Sequence, residues 1–320
     1  MRTATILLLL TVTACELLGG ADEGPPRTII YSAQIEDGTF QIFSMREDGS
    51  GVRQLTDEEF GSTEPAWSPD GARIAYARGT GSTAGKALWV MDADGGNKQP
   101  LVLNPQTGNP QMGNQPAWSP DGMKLAFDRC LNCELGGKNY EVFVADLQTG
   151  TIDTLTNHPV EDSHPTWSPD GQQIAFTSNR DYFDADTMHF REEIYTVSSD
   201  GTKLQRLTDA GISRDPIWNP KGNTIGFGSN VGSSLGLFQV EVQSEEIFEI
   251  KVDFPERFLL VPMAWSSDGQ NLLIIARDQS TPEDFSMYIV DTENGQSELI
   301  PLEPKLIIGA DWFTDFDNQN

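Results

Sequence analysis

The residues that could do chemistry are few in this chain of 320: three cysteines and three histidines, set among 48 acidic side chains. Cys130-Leu131-Asn132-Cys133 places two thiols in a Cys-x-x-Cys spacing. A redox pair of this kind wants a strand before it and a helix after it, because the helix N-terminus lowers the thiol pKa. The surrounding sequence reads as a hairpin loop, so a Cys130–Cys133 disulfide is expected outside the cytoplasm, with a free thiol pair as the alternative. A structural zinc would need two further ligands nearby, and none is evident. His158, His164 and His189 are accompanied by Asp162, Asp184 and Asp186. Clustered His and Asp can hold a metal, but their spacing matches no known ligand set, and polar loop residues are the simpler reading. Glu64, Gln115, His164 and Asp215, the last beside Arg214, each precede a proline that recurs along the chain. With Asp162 they are the residues expected at the mouth of a central channel, where carboxylates could take a cation or the basic end of a peptide. Calcium is the ion that oxygen ligands would favour there, and no other cofactor is expected.

Two further matches are by letters alone. Gly232-Ser233-Ser234-Leu235-Gly236 has the form G-x-S-x-G, but a nucleophile elbow needs a helix next, and the strand-like Leu237–Val242 follows. Asp92-Ala93-Asp94-Gly95 resembles the start of an EF-hand without its distant glutamate; it reads as a hairpin turn. The formal net charge of −27 repels phosphate backbones, which argues against nucleic-acid binding, and it favours solubility.

What would position these residues is a repeat. Tryptophans stand at 67, 118, 167, 218, 265 and 312, spaced 51, 49, 51, 47 and 47 residues apart; Trp89 lies outside the series. Trp67-Ser68-Pro69-Asp70-Gly71 recurs from Trp118 and from Trp167, drifts to Trp218-Asn219-Pro220-Lys221-Gly222 and Trp265-Ser266-Ser267-Asp268-Gly269, and fades after Trp312. Serine, proline and glycine suit the first, second and fourth positions of a tight turn, and the tryptophan before it suits a wedge between sheets. Short alternating strands follow, such as Ile74-Ala75-Tyr76 and Leu88-Trp89-Val90, and then Asp-Gly or Asn-Gly turns leading to a last strand that ends in Leu-Thr. Four antiparallel strands per repeat make a propeller blade. Residues 28–56 hold three strands and Trp312 a lone first strand, so the two ends should complete a sixth blade and remove an open sheet edge.

The repeat resembles that of the TolB-type propellers over nearly all of residues 28–313. The expectation is therefore an all-β, six-bladed β-propeller forming one domain over 28–320. The stretch between Cys15 and Thr28 has no room for the extra N-terminal domain of TolB. The resemblance implies a protein- or peptide-binding module at the cell envelope, acting as a monomer. The alternatives are a metal-dependent lyase or glycan-processing enzyme, since some lyases resemble these propellers, and a carbohydrate sensor using Tyr182, Phe183 and Phe190. The N-terminus agrees with export. Arg2 precedes the apolar run Ala4–Val12, too short to span a bilayer. Val12-Thr13-Ala14-Cys15 resembles a bacterial lipobox, making 1–14 a signal peptide, Cys15 the lipidated residue and 15–27 a tether. The expected site is a bacterial membrane, either the outer membrane facing the periplasm or the cell surface, held only through acyl chains. Strand alternation puts the tight turns on one face and the insertions, including 179–192, on the other, which is the expected binding face.

Overall fold

The computed structural model describes residues 28–313 apart from 82–84, 105, 133–138, 182, 185–188, 210, 230–235, 256, 282–284 and 303–305. Six four-stranded antiparallel sheets stand around a central channel. The first blade is Ser62–Trp67, Arg73–Gly79, Lys86–Asp92 and Gln99–Pro100, from the channel outward. The innermost strands of the next four blades are Asn114–Trp118, Asp162–Trp167, Ser213–Trp218 and Phe258–Trp265. In the sixth blade Ile307–Phe313 pairs with Thr28–Gln34, Thr28 opposite Phe313, so the two ends of the described chain close the ring as the repeat predicts.

Each repeat residue has a mechanical role. The tryptophans wedge between blades: Trp167 packs with Ala126 and Val142 of the second blade and with Ile174 and Phe176 of its own. The indole N–H reaches back to the previous blade, from Trp118 to the Ala66 carbonyl at 3.3 Å and from Trp167 to that of Ala117 at 3.1 Å. A large apolar body with one polar handle thus fixes both the spacing and the angle of adjacent sheets. In the turn, the Ser119 hydroxyl donates to Asp121 at 2.6 Å, and Asp121 accepts the Met123 N–H at 2.9 Å. That hydroxyl bond and the backbone N–H hold the Asp121 carboxyl below its ordinary pKa. Asp70 and Asp170 repeat the arrangement.

The Leu-Thr pair has a reason too. Thr156 Oγ1 donates to Glu141 at 2.7 Å and accepts the Val142 N–H at 2.9 Å, while the other Glu141 oxygen accepts the His158 N–H at 2.8 Å. Thr208 with Glu193 and Thr56 with Gln41 make the same clamp, which pins the loop leaving one blade to the third strand of that blade. Cross-strand aromatic pairs fill the layers between blades, Phe127 against Phe143 at 5.7 Å and Phe176 against Tyr195 at 5.9 Å.

The two faces differ. On one, the Ser-Pro-Asp-Gly turns touch the outer hairpins, as where the Ala93 N–H bonds to the Ala72 carbonyl at 3.0 Å. On the other, inter-blade segments meet the loops between second and third strands, as where the Ser213 N–H bonds to the Glu192 carbonyl at 2.6 Å. The insertion of the third blade contains a two-stranded ribbon, Phe183–Asp184 paired with His189–Phe190, where the sequence predicts a loop. Among the described residues no helix is long and apolar enough to cross a membrane.

Candidate functional site

The channel is a cavity of about 1030 Å³ walled by the six innermost strands. At its mouth on the looped face, Glu64, Gln115, His164 and Asp215 occupy equivalent places in the first four blades. All four have a left-handed backbone, with φ of 55°, 48°, 56° and 56°. This is uncommon for any residue but glycine, and the proline that follows each favours extended backbone instead. A β-bulge makes the conformation necessary: pairing with the second strand slips between Thr63 and Ala66, and likewise in the next three blades. Positions of this kind store on the order of 1–3 kcal/mol each and persist only where their surroundings hold them.

Here the neighbouring blade holds them. The Glu64 N–H donates to Ser32 Oγ at 3.1 Å, that of Gln115 to Glu64 Oε2 at 3.1 Å, that of His164 to Gln115 Oε1 at 3.0 Å, and that of Asp215 to Thr177 Oγ1 at 3.2 Å. His164 Nε2 then meets Asp215 Oδ1 at 3.0 Å. A hydrogen-bonded chain therefore runs along the rim from the sixth blade to the fourth. Beneath it lies Asp128, buried, which accepts from Asn114 Nδ2 at 3.0 Å. Burial pushes its carboxyl up to about 6, against the opposing pull of His164 and Asn114.

Two carboxylates of the rim are matched by cations. Lys86 Nζ lies 2.9 Å from Glu64 Oε1, and Arg214 lies 2.9 Å from Glu192 Oε2, close in charge though not aligned as a hydrogen bond. Each pair is part-exposed and stabilises by about 1 kcal/mol at most, but together the pairs neutralise the mouth of a strongly acidic protein. The fifth and sixth blades present apolar residues there instead: Val261-Pro262-Met263, and Ile308, which is 42% exposed. The mouth is thus polar and charge-paired on one side and apolar on the other.

Asp162, expected at the mouth, is elsewhere. It is fully buried, bonded to Ser178 Oγ at 2.5 Å and paired with Arg180 at 2.6 Å. A buried carboxylate needs a fixed partner, and Arg180, lying over the Phe176 and Tyr195 rings at 5.3 and 5.0 Å, supplies it. Arg214 does line the cavity. His158 sits on the loop held by Glu141, and Asp184 pairs with His189 in the register of the ribbon. Among the described residues no group of three or more His, Cys, Asp or Glu is placed to hold a metal ion. Cys130 ends a strand and is disulfide-bonded; Cys15, Cys133, Tyr182, Asp186 and the Gly232–Leu235 stretch lie outside the described residues. The sequence reading missed Lys86, Glu192, Asp128 and Thr177. Only strand register, which pairs Lys86 with Gly79 and brings Asp128 opposite Asn114, could have pointed to them.

Residues 106–185 match the TolB beta propeller domain model. The chain superimposes on the crystal structure of TolB from Acinetobacter baumannii with a TM-score of 0.72 and 20% identity, covering 89% of this chain and 66% of that one. By fold, this is a TolB-like six-bladed β-propeller. An uncharacterized protein of Agrobacterium fabrum is 32% identical over 121 residues, 36% of this chain and 41% of that protein. The Tol-Pal system protein TolB of Xylella fastidiosa is 36% identical over 87 residues, 27% of this chain and 18% of that protein. The matched segments thus span less than half of either relative's length. A glycine requirement marks the closing seam of the propeller: Gly71 has φ +64°, and a Cβ there would meet the Phe313 ring at 2.5 Å.

Proposed function

We propose that the protein is an extracytoplasmic binding module that takes a protein or peptide partner at the channel mouth on its looped face. The observation that carries this reading is the rim itself. Four strained, non-glycine residues are chained from blade to blade around an open cavity, and backbone strain of this kind collects at ligand-binding places. A mouth that is charge-paired on one side and apolar on the other suits a peptide with mixed side chains better than a lone metal ion, since Glu64 and Glu192 already have cationic partners. The likeness to TolB proteins, one of them named as a Tol-Pal system protein, supports an envelope setting. In this reading Cys15 carries the lipid anchor; labelling with radioactive palmitate should mark the wild type, and a Cys15→Ala variant that still takes the label would remove the anchor from the account. The binding role is tested by affinity capture from envelope extracts under crosslinking. The wild type should retain a saturable partner that Arg214→Glu loses, and equal capture by both would overturn the assignment to the rim.

A further inference from the structure

Glu64 and Glu192 at the rim lie beside cations, whereas a carboxylate deeper in the channel has no cationic partner among the described residues. The residue before each repeat tryptophan lies on the cavity wall, and five of the six are uncharged: Ala66, Ala117, Thr166, Ile217 and Ala264. The sixth is Asp311. Its Oδ2 accepts the Trp67 N–H at 2.7 Å and its Oδ1 the Trp312 N–H at 2.8 Å. Each oxygen keeps an unused lone pair. Burial holds the carboxyl up to about 6, against the opposing pull of the two N–H groups. The strands packed against it bring Glu64, Tyr31, Arg277 and Asp278 as their titratable or charged side chains, and among the described residues Asp311 forms no ion pair. An unpaired carboxylate on an apolar wall is costly, and the other five blades manage that position without charge.

We propose that Asp311 receives an alkylammonium group carried into the channel by the ligand, either a lysine side chain or the free amino end of a peptide. This rests on the channel being the binding site. The wall offers prolines and tryptophans to the body of such a ligand: Pro65, Pro116, Pro165 and Pro216 follow the rim residues, and Asp311 takes its charged tip. An ammonium that replaces its water by a desolvated carboxylate and aromatic faces gains both an ion pair and cation–π attraction.

The test uses three synthetic tripeptide amides on the full chain, read by intrinsic tryptophan fluorescence because the repeat tryptophans line the cavity. One is acetylated Ala-Pro-Lys, with only a side-chain ammonium. The second is unacetylated Ala-Pro-norleucine, with only an amino end. The third is acetylated Ala-Pro-norleucine, with neither. At least one ammonium peptide should bind about tenfold or more tightly than the neutral one, and which of the two does so identifies the source of the group. The advantage should vanish in Asp311→Asn. In the wild type, which needs no variant to fold, it should fade as the pH falls from about 7.5 to about 5 while the neutral peptide is unaffected. Equal binding of all three peptides, binding of none, or an advantage that survives Asp311→Asn overturns the proposal. The rim reading is judged separately by Arg214→Glu, which leaves Asp311 in place, so the two can fail independently.

Discussion

His164 and Asp215 meet across the seam between the third and fourth blades, Nε2 to Oδ1 at 3.0 Å, and both hold a left-handed backbone. The contact ends the hydrogen-bonded rim and uses residues whose backbone opposes them. Function and stability should therefore separate at this pair. His164→Gly removes the side chain but relieves the left-handed strain, so its stability should stay within about 1 kcal/mol of the wild type. His164→Val keeps a Cβ and adds branching at the same φ, and should cost on the order of 1–3 kcal/mol. Urea unfolding of the two variants checks the order; a glycine variant less stable than the valine one would contradict it.

The buried carboxyls predict an unusual pH response. Burial holds Asp128 and Asp311 up to about 6, above the ordinary 3.8 of an unfolded aspartate. The folded state therefore binds protons that the unfolded state releases. The resulting stabilisation is fully present below about 3.8 and is lost as the pH rises through about 6. Glu141 and Glu193 are shifted in the same direction, mainly by burial. Melting temperature should be higher at pH 5.5 than at pH 7.5, by about 2–4 °C or more. Asp128→Asn should flatten that dependence. A melting temperature that rises from pH 5.5 to 7.5 would count against it.

The clamp behind the Leu-Thr signature can be broken one atom at a time. Thr156→Val keeps the shape of the side chain but leaves Glu141 and the Val142 N–H each short of a partner in the interior. The expected loss is about 1–3 kcal/mol, measured by chemical denaturation. Thr149→Val, at an exposed turn, is the control and should change stability by about 0.5 kcal/mol or less.

Turn glycines should not be equivalent. Gly71 and Gly122 have φ of +64° and +66°, so alanine strains both backbones alike. A Cβ at Gly122 meets Pro69 at an ordinary 3.8 Å, whereas at Gly71 it enters the Phe313 ring. Gly71→Ala should therefore cost more than the ~1 kcal/mol expected of Gly122→Ala, because it also disturbs the strand that closes the ring. Equal thermal shifts for the two variants would contradict that role for the seam.

Much of the fold was legible because the repeat states it six times. Trp67, Trp118 and Trp167 each carry the same turn, so blade number, strand order and the closing role of Trp312 could be read without contacts. The rim positions were legible for the same reason, since Glu64, Gln115, His164 and Asp215 precede equivalent prolines. Their backbone was not legible, because a residue before proline is expected to be extended, and only the β-bulge reverses that. Nor was the charge pairing: Lys86 reaches Glu64 from 22 residues along the chain, a distance that only strand register converts into contact. Asp162 misled for a related reason. Nothing in the text near it announces that Arg180, across the strand pair, will bury it. Trp312 aligns Asp311 with Ala66 and Ala117 in the sequence, but only the structure shows that this position lines the channel.

The central claim is that a partner docks at the rim and not on the tight-turn face. A photo-crosslinking residue placed in living cells at Ile308, exposed beside the rim, or at Leu204, exposed on an outer hairpin of the tight-turn face, puts the two surfaces in direct competition. The account predicts a discrete crosslinked adduct from position 308, absent when Arg214→Glu is added, and none from position 204. Adducts from 204 with none from 308 would contradict it.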